Sequence, residues 1–418
     1  MRSAADPSVL PDVENRLAAR RPTDLGSGTA RLVLRKNQDR RLRGGHPWIF
    51  SNEVAAIEGQ PADGDLVDVA DFRGAFLGRA YYNRRSLICA RILTRGRDEI
   101  DEAFFAHRIE RALKLRESVY PGEAALRVVY GESDQLPGLV VDRYGDWLAV
   151  QVLTVGMEVR ADLVRAALQR VLQPRGVVRV ADSPLRVLEG LKLERAVWWG
   201  DVPERVEVEV SGFRLEADLL HGQKTGLYLD QRENRRRAEA RAKDQRVLDL
   251  FSYQGEWSLH AARGGAREVL AVDSSGPALE AGRRNADRNG LAERVTFREG
   301  DAFDIARELE RTGERFGMVI LDPPALIKSR SQIAAGARAY REINRAAMAL
   351  LAEGGTLITC SCSHHLEDVL FRQVLIEAAR AARRPFRVLD WTGEPPDHPQ
   401  LLAVPETHYL KCGVLQAL

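Results

Sequence analysis

The stretch that most constrains this chain is Arg246-Val-Leu-Asp-Leu-Phe-Ser-Tyr-Gln-Gly255, followed by a helical run and then by Glu268-Val-Leu-Ala-Val-Asp273. An apolar strand ending in a carboxylate, a tight turn carrying Gly255, a helix and a second apolar strand ending in Asp273 make one βαβ unit. In open parallel sheets ligands bind outside the carboxyl ends of the strands, and an acid about 20 residues beyond the glycine turn accepts ribose hydroxyls. Asp273 has that position. A dinucleotide site would want G-x-G-x-x-G, so that backbone can approach a pyrophosphate. Here the loop holds a single glycine and starts from Asp249, whose carboxylate would repel phosphate. A ligand with a ribose at one end and positive charge at the other fits better, and S-adenosylmethionine is such a molecule. A plainer role is compatible with this one: Asp249 caps the turn, and Asp273 caps the helix that starts at Ser274-Ser275-Gly276-Pro277.

The alternation continues past Asp273. Val295–Phe297 leads to Gly300-Asp301-Ala302-Phe303, Phe316–Leu321 leads to Asp322-Pro-Pro324, and Gly355–Thr359 leads to Cys360-Ser-Cys362-Ser363, with helical runs between. The expectation is an α/β doubly wound sheet whose carboxyl edge collects Asp249, Asp273, Asp301, Asp322 and Cys362. A final hairpin, near Phe386–Leu389 and His408–Val414, closes it. A thiolate beside a cationic methyl donor points to covalent catalysis on a pyrimidine, in which sulfur adds to carbon 6 and makes carbon 5 nucleophilic. Asp322 would hydrogen-bond, or protonate, the ring nitrogen that takes up the charge. The plainer readings are a small buried residue for Cys362 and a turn cap for Asp322. Cys360 shares a face with Cys362 if the strand stays regular there. His364 and His365 read as capping or surface residues, with no metal constellation beside them.

At 418 residues the chain is long enough for two or three domains. Lys+Arg number 62 against 60 Asp+Glu, so any nucleic-acid affinity must come from local clusters. Four cysteines at 89, 360, 362 and 412 give no disulfide framework, and reduced thiols in a cytoplasm are the simplest reading. No apolar run is long enough for a membrane span. Residues 1–28 lack periodicity and read as a flexible extension. Short strands with glycine turns over 29–100 predict a small β-barrel. Arg35, Lys36, Arg40, Arg41, Arg43, Arg79, Arg84 and Arg85 are interleaved there with Trp48, Phe50, Tyr81 and Tyr82, a mixture suited to phosphates and stacked bases. Taken one at a time, these residues read better as a solvated basic face over an aromatic core. Residues 101–205 predict an α+β module: an amphipathic helix beginning at Asp101, strands at 126–130, 139–144 and 147–153, a helix over 157–172 and a strand at 177–180. From 206 a hairpin around Ser211-Gly212 opens the last domain, and Asp230 with Glu233 reads as a helix cap.

Two resemblances follow from these residues. The barrel segment, above all Gly44-Gly-His-Pro-Trp-Ile-Phe50, resembles the PUA domain, a small RNA-binding barrel. Residues 206–418 look like a class I S-adenosylmethionine-dependent methyltransferase. Tyr228-Leu-Asp-Gln-Arg232, Asp249–Gly255, Leu321-Asp-Pro-Pro324 and Ser361-Cys-Ser363 together resemble the family of ribosomal RNA large subunit methyltransferase I. The resemblance implies 5-methylcytosine formation in 23S ribosomal RNA, with the nucleophile at Cys362, beside the catalytic role already read for Asp322. It implies cofactor contacts at Gln231, Arg232, Phe251, Ser252, Tyr253, Gly255, Asp273, Ser274, Asp301 and Asp322, to which Asp249 and Ala302 are added as neighbours. Where two-cysteine RNA cytosine methyltransferases carry a second cysteine after Asp-Pro-Pro, this chain has Ala325. Competing expectations are an RNA guanine or amino-group methyltransferase with a structural Cys362, and a catalytically silent RNA-binding protein. The sequence leaves monomer and homodimer both open.

Overall fold

The computed structural model describes residues 30–418, so the extension expected over 1–28 lies outside the described residues. The chain divides into two units. One runs through Glu209 and includes Ala217–Leu229 and Pro396–Thr407; the other comprises Val210–Glu216, Asp230–Pro395 and His408–Leu418.

The first unit opens with β1 (Ala30–Leu34), β2 (Trp48–Phe50), β3 (Val54–Glu58), β4 (Leu66–Ala70), β5 (Phe76–Tyr82) and β6 (Ile88–Thr94). They pair in the order β2-β6-β5-β4-β1-β3, which leaves β2 and β3 as edges: an open half-barrel rather than a closed one. Leu32, Leu34, Val67, Val69 and Ile92 fill it. Tyr81 and Tyr82 are not available as a stacking platform. Tyr81 is fully buried, its hydroxyl donating to Pro137 O at 3.0 Å, and Tyr82 is buried as well. Trp48 donates its indole N–H to Glu132 Oε1 at 2.7 Å. Burial favours aromatic side chains here because each covers a large apolar area while its polar tip finds a partner.

The rest of this unit packs α1 (Glu102–Val119) and α2 (Ala161–Leu172) on a five-stranded sheet of β7 (Ala125–Tyr130), β8 (Leu139–Tyr144), β9 (Trp147–Val152), β10 (Gly176–Ala181) and β11 (Glu194–Gly200), in the order β11-β10-β9-β8-β7. Asp101 caps α1, accepting from Phe104 N at 2.9 Å. The single helix expected over 157–172 is instead a short turn at Val155–Glu158 followed by α2. Strand β11 was not expected. It is an edge strand without a single buried residue, so no buried face imposes alternation on its sequence. Arg116, fully buried on α1, pairs with Asp134 (Nη2 to Oδ2 2.7 Å) and donates to Arg127 O and Asp397 O at 2.9 and 3.0 Å.

β12 (Val206–Val210) and β13 (Phe213–Ala217) form the expected hairpin, with Ser211 and Gly212 both left-handed at φ 53° and 77°. The second unit is built on β14 (Arg246–Leu250), β15 (Glu268–Asp273), β16 (Val295–Glu299), β17 (Phe316–Leu321), β18 (Leu351–Ser361), β19 (Phe386–Thr392) and β20 (Lys411–Ala417). Their order is β16-β15-β14-β17-β18-β20-β19, parallel through the first five and antiparallel at β20. Helices α3 (Arg232–Glu239), α4 (Glu256–Arg263), α5 (Gly276–Arg288), α6 (Ala302–Arg311), α7 (Ile333–Ala349) and α8 (Asp368–Ala381) accompany it. Strand order reverses between β14 and β17, which opens a crevice at their carboxyl ends. Apolar side chains cover both faces: Leu248, Leu250, Val319 and Leu321 on one, Val247, Val269, Met318 and Ile358 on the other. Asp230 does not cap α3, whose N-cap is Gln231; its carboxylate accepts the phenol of Tyr409 at 2.7 Å. Among the described residues no helix is long and apolar enough to cross a membrane.

Replacing Arg116 by Met should lower unfolding stability by about 3–5 kcal/mol, because it strands the buried Asp134 charge. Denaturant unfolding of the variant against the parent checks this.

Candidate active site

The site begins with a backbone that local preference would not choose. After β14, Phe251, Tyr253 and Gly255 all take left-handed φ (64°, 50° and 74°). For the two aromatic residues this costs on the order of 1–3 kcal/mol each, so the surroundings must impose it. For Tyr253, Asp273 at the end of β15 does so: its Oδ2 accepts Tyr253 N at 2.8 Å while Oδ1 accepts Ser275 N at 2.9 Å. Ser252 N bonds Val272 O and Gly255 N bonds Ser252 O, at 2.9 and 2.8 Å. Glycine is required at 255, where an added Cβ would stand 2.7 Å from the Phe297 ring. The helix that starts beyond Ser274 is capped by Ser275, with Asp273 two residues before it.

Beside this loop lies a buried acid. Asp249 is completely inaccessible; one oxygen accepts Ser258 Oγ at 2.6 Å, and the other has no hydrogen-bond partner. Burial pushes its carboxyl up to about 7, with the Asp322 charge adding to the effect against the Ser258 hydrogen bond. Asp322 sits at the end of β17, half-buried. Its Oδ1 accepts Gln231 Nε2 and its Oδ2 accepts Trp257 Nε1, both at 3.0 Å. Gln231 is oriented in turn by Asn234 Nδ2 at 2.7 Å. Arg232 is buried in the first turn of α3, and Arg235 of the same helix forms a buried ion pair with Glu256. Asp301 caps α6, accepting Phe303 N and Asp304 N at 2.9 and 3.1 Å, and Phe303 meets Phe251 edge-on at 6.1 Å. Ala302 is buried behind that cap, while Ser274 is exposed.

Cys362 follows β18 directly, half-buried, with its sulfur 4.0 Å from Pro323 O. The thiol therefore shares the crevice with the Asp-Pro-Pro turn. Cys360 does not: it is fully buried in the core opposite Cys412, its register partner, and burial raises its thiol well above the ordinary range. Hydroxyls tie the two loops together. Tyr340 of α7 bonds Ser361 and Ser363, each at 3.0 Å, and Ser363 Oγ accepts Ile327 N at 3.2 Å. Burial lifts the Tyr340 phenol to about 12, so it stays a neutral donor. Trp257, Ser258 and Tyr340 escaped the sequence reading; each lies on an amphipathic helix, where periodicity assigns it to the core. Lys411 escaped as well, although a lone lysine among Leu410, Cys412, Gly413 and Val414 is a signal in itself.

The residues fit a bound S-adenosylmethionine. The Asp249 oxygen and Ser252 Oγ are both buried without partners, and polar atoms of that kind ordinarily have one. Comparison with known proteins agrees. Residues 146–409 match the family model of S-adenosylmethionine-dependent methyltransferases, and residues 32–95 match a PUA-like domain. The fold is shared with a Streptococcus mutans protein described as a SAM-dependent methyltransferase, at TM-score 0.79 and 21% identity over 92% of this chain and 99% of that one. A methyltransferase structure complexed with SAH aligns at TM-score 0.81 and the same identity and coverage. The protein is thus an S-adenosylmethionine-dependent methyltransferase. Among its relatives, ribosomal RNA large subunit methyltransferase I of Vibrio cholerae is 37% identical over 93% of this chain and 100% of its own length. That of Aeromonas salmonicida is 38% identical over 92% and 99%. The chain belongs to the ribosomal RNA large subunit methyltransferase I family.

The raised Asp249 carboxyl has a stability signature. Between about pH 4 and 7 the unfolded chain loses this proton while the folded one keeps it, so stability contributed here falls as pH rises through that window. Asp249→Asn lacks that decline. Its melting temperature relative to the parent should therefore be several degrees more favourable at pH 8 than at pH 4, read by thermal denaturation.

Proposed function

We propose that this enzyme methylates carbon 5 of a cytosine in 23S ribosomal RNA, in the cytoplasm, through a covalent adduct to Cys362. The observation that carries the reading is the Cys362 sulfur 4.0 Å from Pro323 O, one residue beyond Asp322, while Cys89, Cys360 and Cys412 are buried. When bound, S-adenosylmethionine supplies an electrophilic methyl group. Everything else falls to the chain. The Cys362 thiolate adds to carbon 6 of the ring, and the displaced electron pair reaches the ring nitrogen, which takes a proton from solvent and shares it in a hydrogen bond to the Asp322 carboxylate. Carbon 5 is then nucleophilic and takes the methyl group. Loss of the carbon 5 proton to a base expels the sulfur as thiolate, and the ring nitrogen returns its proton. Ala325 stands where a second cysteine would assist this release, so the base is of another kind.

Asp322 is held for its task by Gln231 and Trp257, whose donors fix both carboxylate oxygens. The left-handed loop with Phe251, Ser252, Tyr253 and Gly255 would embrace the cofactor together with Gln231, Arg232, Asp249, Asp273, Ser274, Asp301 and Ala302. Asp273 already accepts one backbone N–H on each oxygen, which leaves lone pairs for ribose hydroxyls. The half-barrel over 29–100 would contact RNA through its exposed cations, Arg35, Lys36 and Arg40 among them, rather than through Tyr81 or Tyr82.

An oligonucleotide carrying 5-fluorocytosine at the target position should form a denaturation-resistant adduct with the parent protein and none with Cys362→Ala. Cys362→Ala should also lose at least ~10³-fold in methyl transfer while still binding S-adenosylmethionine. Methylation by Cys362→Ala at the parent rate, with a methylated amino group in the nucleoside digest, would identify an amino-group enzyme instead.

A further inference from the structure

A buried cation stands behind the nucleophile and has no part in the chemistry so far. Lys411, the first residue of β20, is 2% exposed. Its register partner on β18 is Ser361, the residue before Cys362. Its ammonium donates to Ser363 O at 2.8 Å and to Tyr409 O at 2.7 Å, so it braces the backbone on the far side of the cysteine. An ammonium has three donors, and among the described residues the third has no oxygen acceptor. Burying such a charge is costly unless an anion compensates it.

Two carboxylates face Lys411, those of Asp368 and Glu394, and both are already engaged. His408 bridges them, Nε2 to Asp368 and Nδ1 to Glu394, each at 2.9 Å. Trp391 Nε1 donates to Asp368 at 2.7 Å, and Leu410 N to Glu394 at 2.7 Å. The hydrogen bond that His408 donates to Glu394 lifts the imidazole to about 9, so the bridge stays cationic through neutral pH. The other groups with a charge interaction at Lys411 are Cys362 and the imidazole of His364. The two carboxylates and the cationic His408 together leave one negative charge near Lys411, and Cys362 is the other group at this ammonium that can carry one.

We propose that Lys411 is the positioning residue of the Cys362 nucleophile: its buried ammonium fixes the Ser361–Ser363 turn and holds the sulfur as a thiolate. The S–H proton leaves to solvent, and the electron pair remains on a sulfur within the field of the ammonium that grips the next residue's carbonyl. The proposal rests on Cys362 being the nucleophile, but it concerns the state of the thiol before any RNA is bound. It can therefore be tested without a substrate.

The experiment is alkylation of the full-length protein by iodoacetamide across pH 5–10, with the modified Cys362 peptide quantified by mass spectrometry. Only the thiolate reacts, so the midpoint reports the ionisation of that thiol. The parent should show a midpoint at least one unit below the ordinary value of about 8.5. In Lys411→Met the midpoint should return to that value or above, with alkylation at pH 7 slower by ~10-fold or more, while calorimetric binding of S-adenosylmethionine shows the fold intact. A parent midpoint at or above the ordinary value overturns the proposal, whether or not the variant folds. So does a folded Lys411→Met with an unshifted profile. A low parent midpoint without 5-fluorocytosine trapping would instead count against the covalent reading and leave the role of Lys411 standing.

Discussion

The carboxylate of Asp273 holds two turns at once, and the shape of this end of the crevice depends on it. One oxygen fixes Tyr253 in the loop after β14, and the other fixes Ser275 at the start of α5. Without that bridge only the backbone bonds of Ser252 and Gly255 would hold the loop against the relaxation of Tyr253 to an extended or helical conformation. An acid at this strand end therefore has a structural task that is compatible with ligand binding. A carboxylate can accept four hydrogen bonds, and the fold takes two.

The second constraint is electrostatic. Asp249, Asp273 and Asp322 converge at the ends of three neighbouring strands, and the sheet cannot bury three uncompensated charges cheaply. Asp249 resolves the conflict by holding its proton up to about 7, where Asp273 and Asp322 take backbone, amide and indole donors. An arriving cation would remove the same conflict from the other direction, because it compensates the acids it approaches. Cationic character in the methyl donor is thus matched by the chain itself, before any particular contact is specified.

Much of this was legible in the sequence, for a physical reason. Strands buried on both faces read as continuous apolar runs, and the residue that ends each run is placed at the crevice by the topology alone; Asp249, Asp273, Asp322 and Cys362 were found in that way. Features that depend on partners remote in sequence were not legible. Tyr81 and Tyr82 looked like stacking residues because composition cannot tell an aromatic that faces solvent from one whose hydroxyl meets Pro137. Asp230 looked like a helix cap because its true partner, Tyr409, lies 179 residues further on. Strand β11 was missed for the opposite reason, since an edge strand with no buried side chain leaves no periodic trace.

The same distinction explains how the two loops that carry Asp322 and Cys362 are set against each other. The Asp-Pro-Pro turn follows β17 and the Ser-Cys-Ser turn follows β18, so parallel pairing brings them side by side but does not fix the distance between a thiol and a carboxylate. That distance is set by side chains from elsewhere: Tyr340 on α7 reaches both serines, Ser363 reaches Ile327 beyond the prolines, and Lys411 on β20 grips the carbonyl of Ser363. Each is buried and each acts on backbone or on a hydroxyl, so each is stiff in the direction that matters. A misplacement of about 1 Å at a reacting centre can cost roughly a hundredfold in rate. The parallel sheet is enough to bring the cysteine to the crevice; the hydroxyl chain and the buried ammonium are what can hold it there to that tolerance.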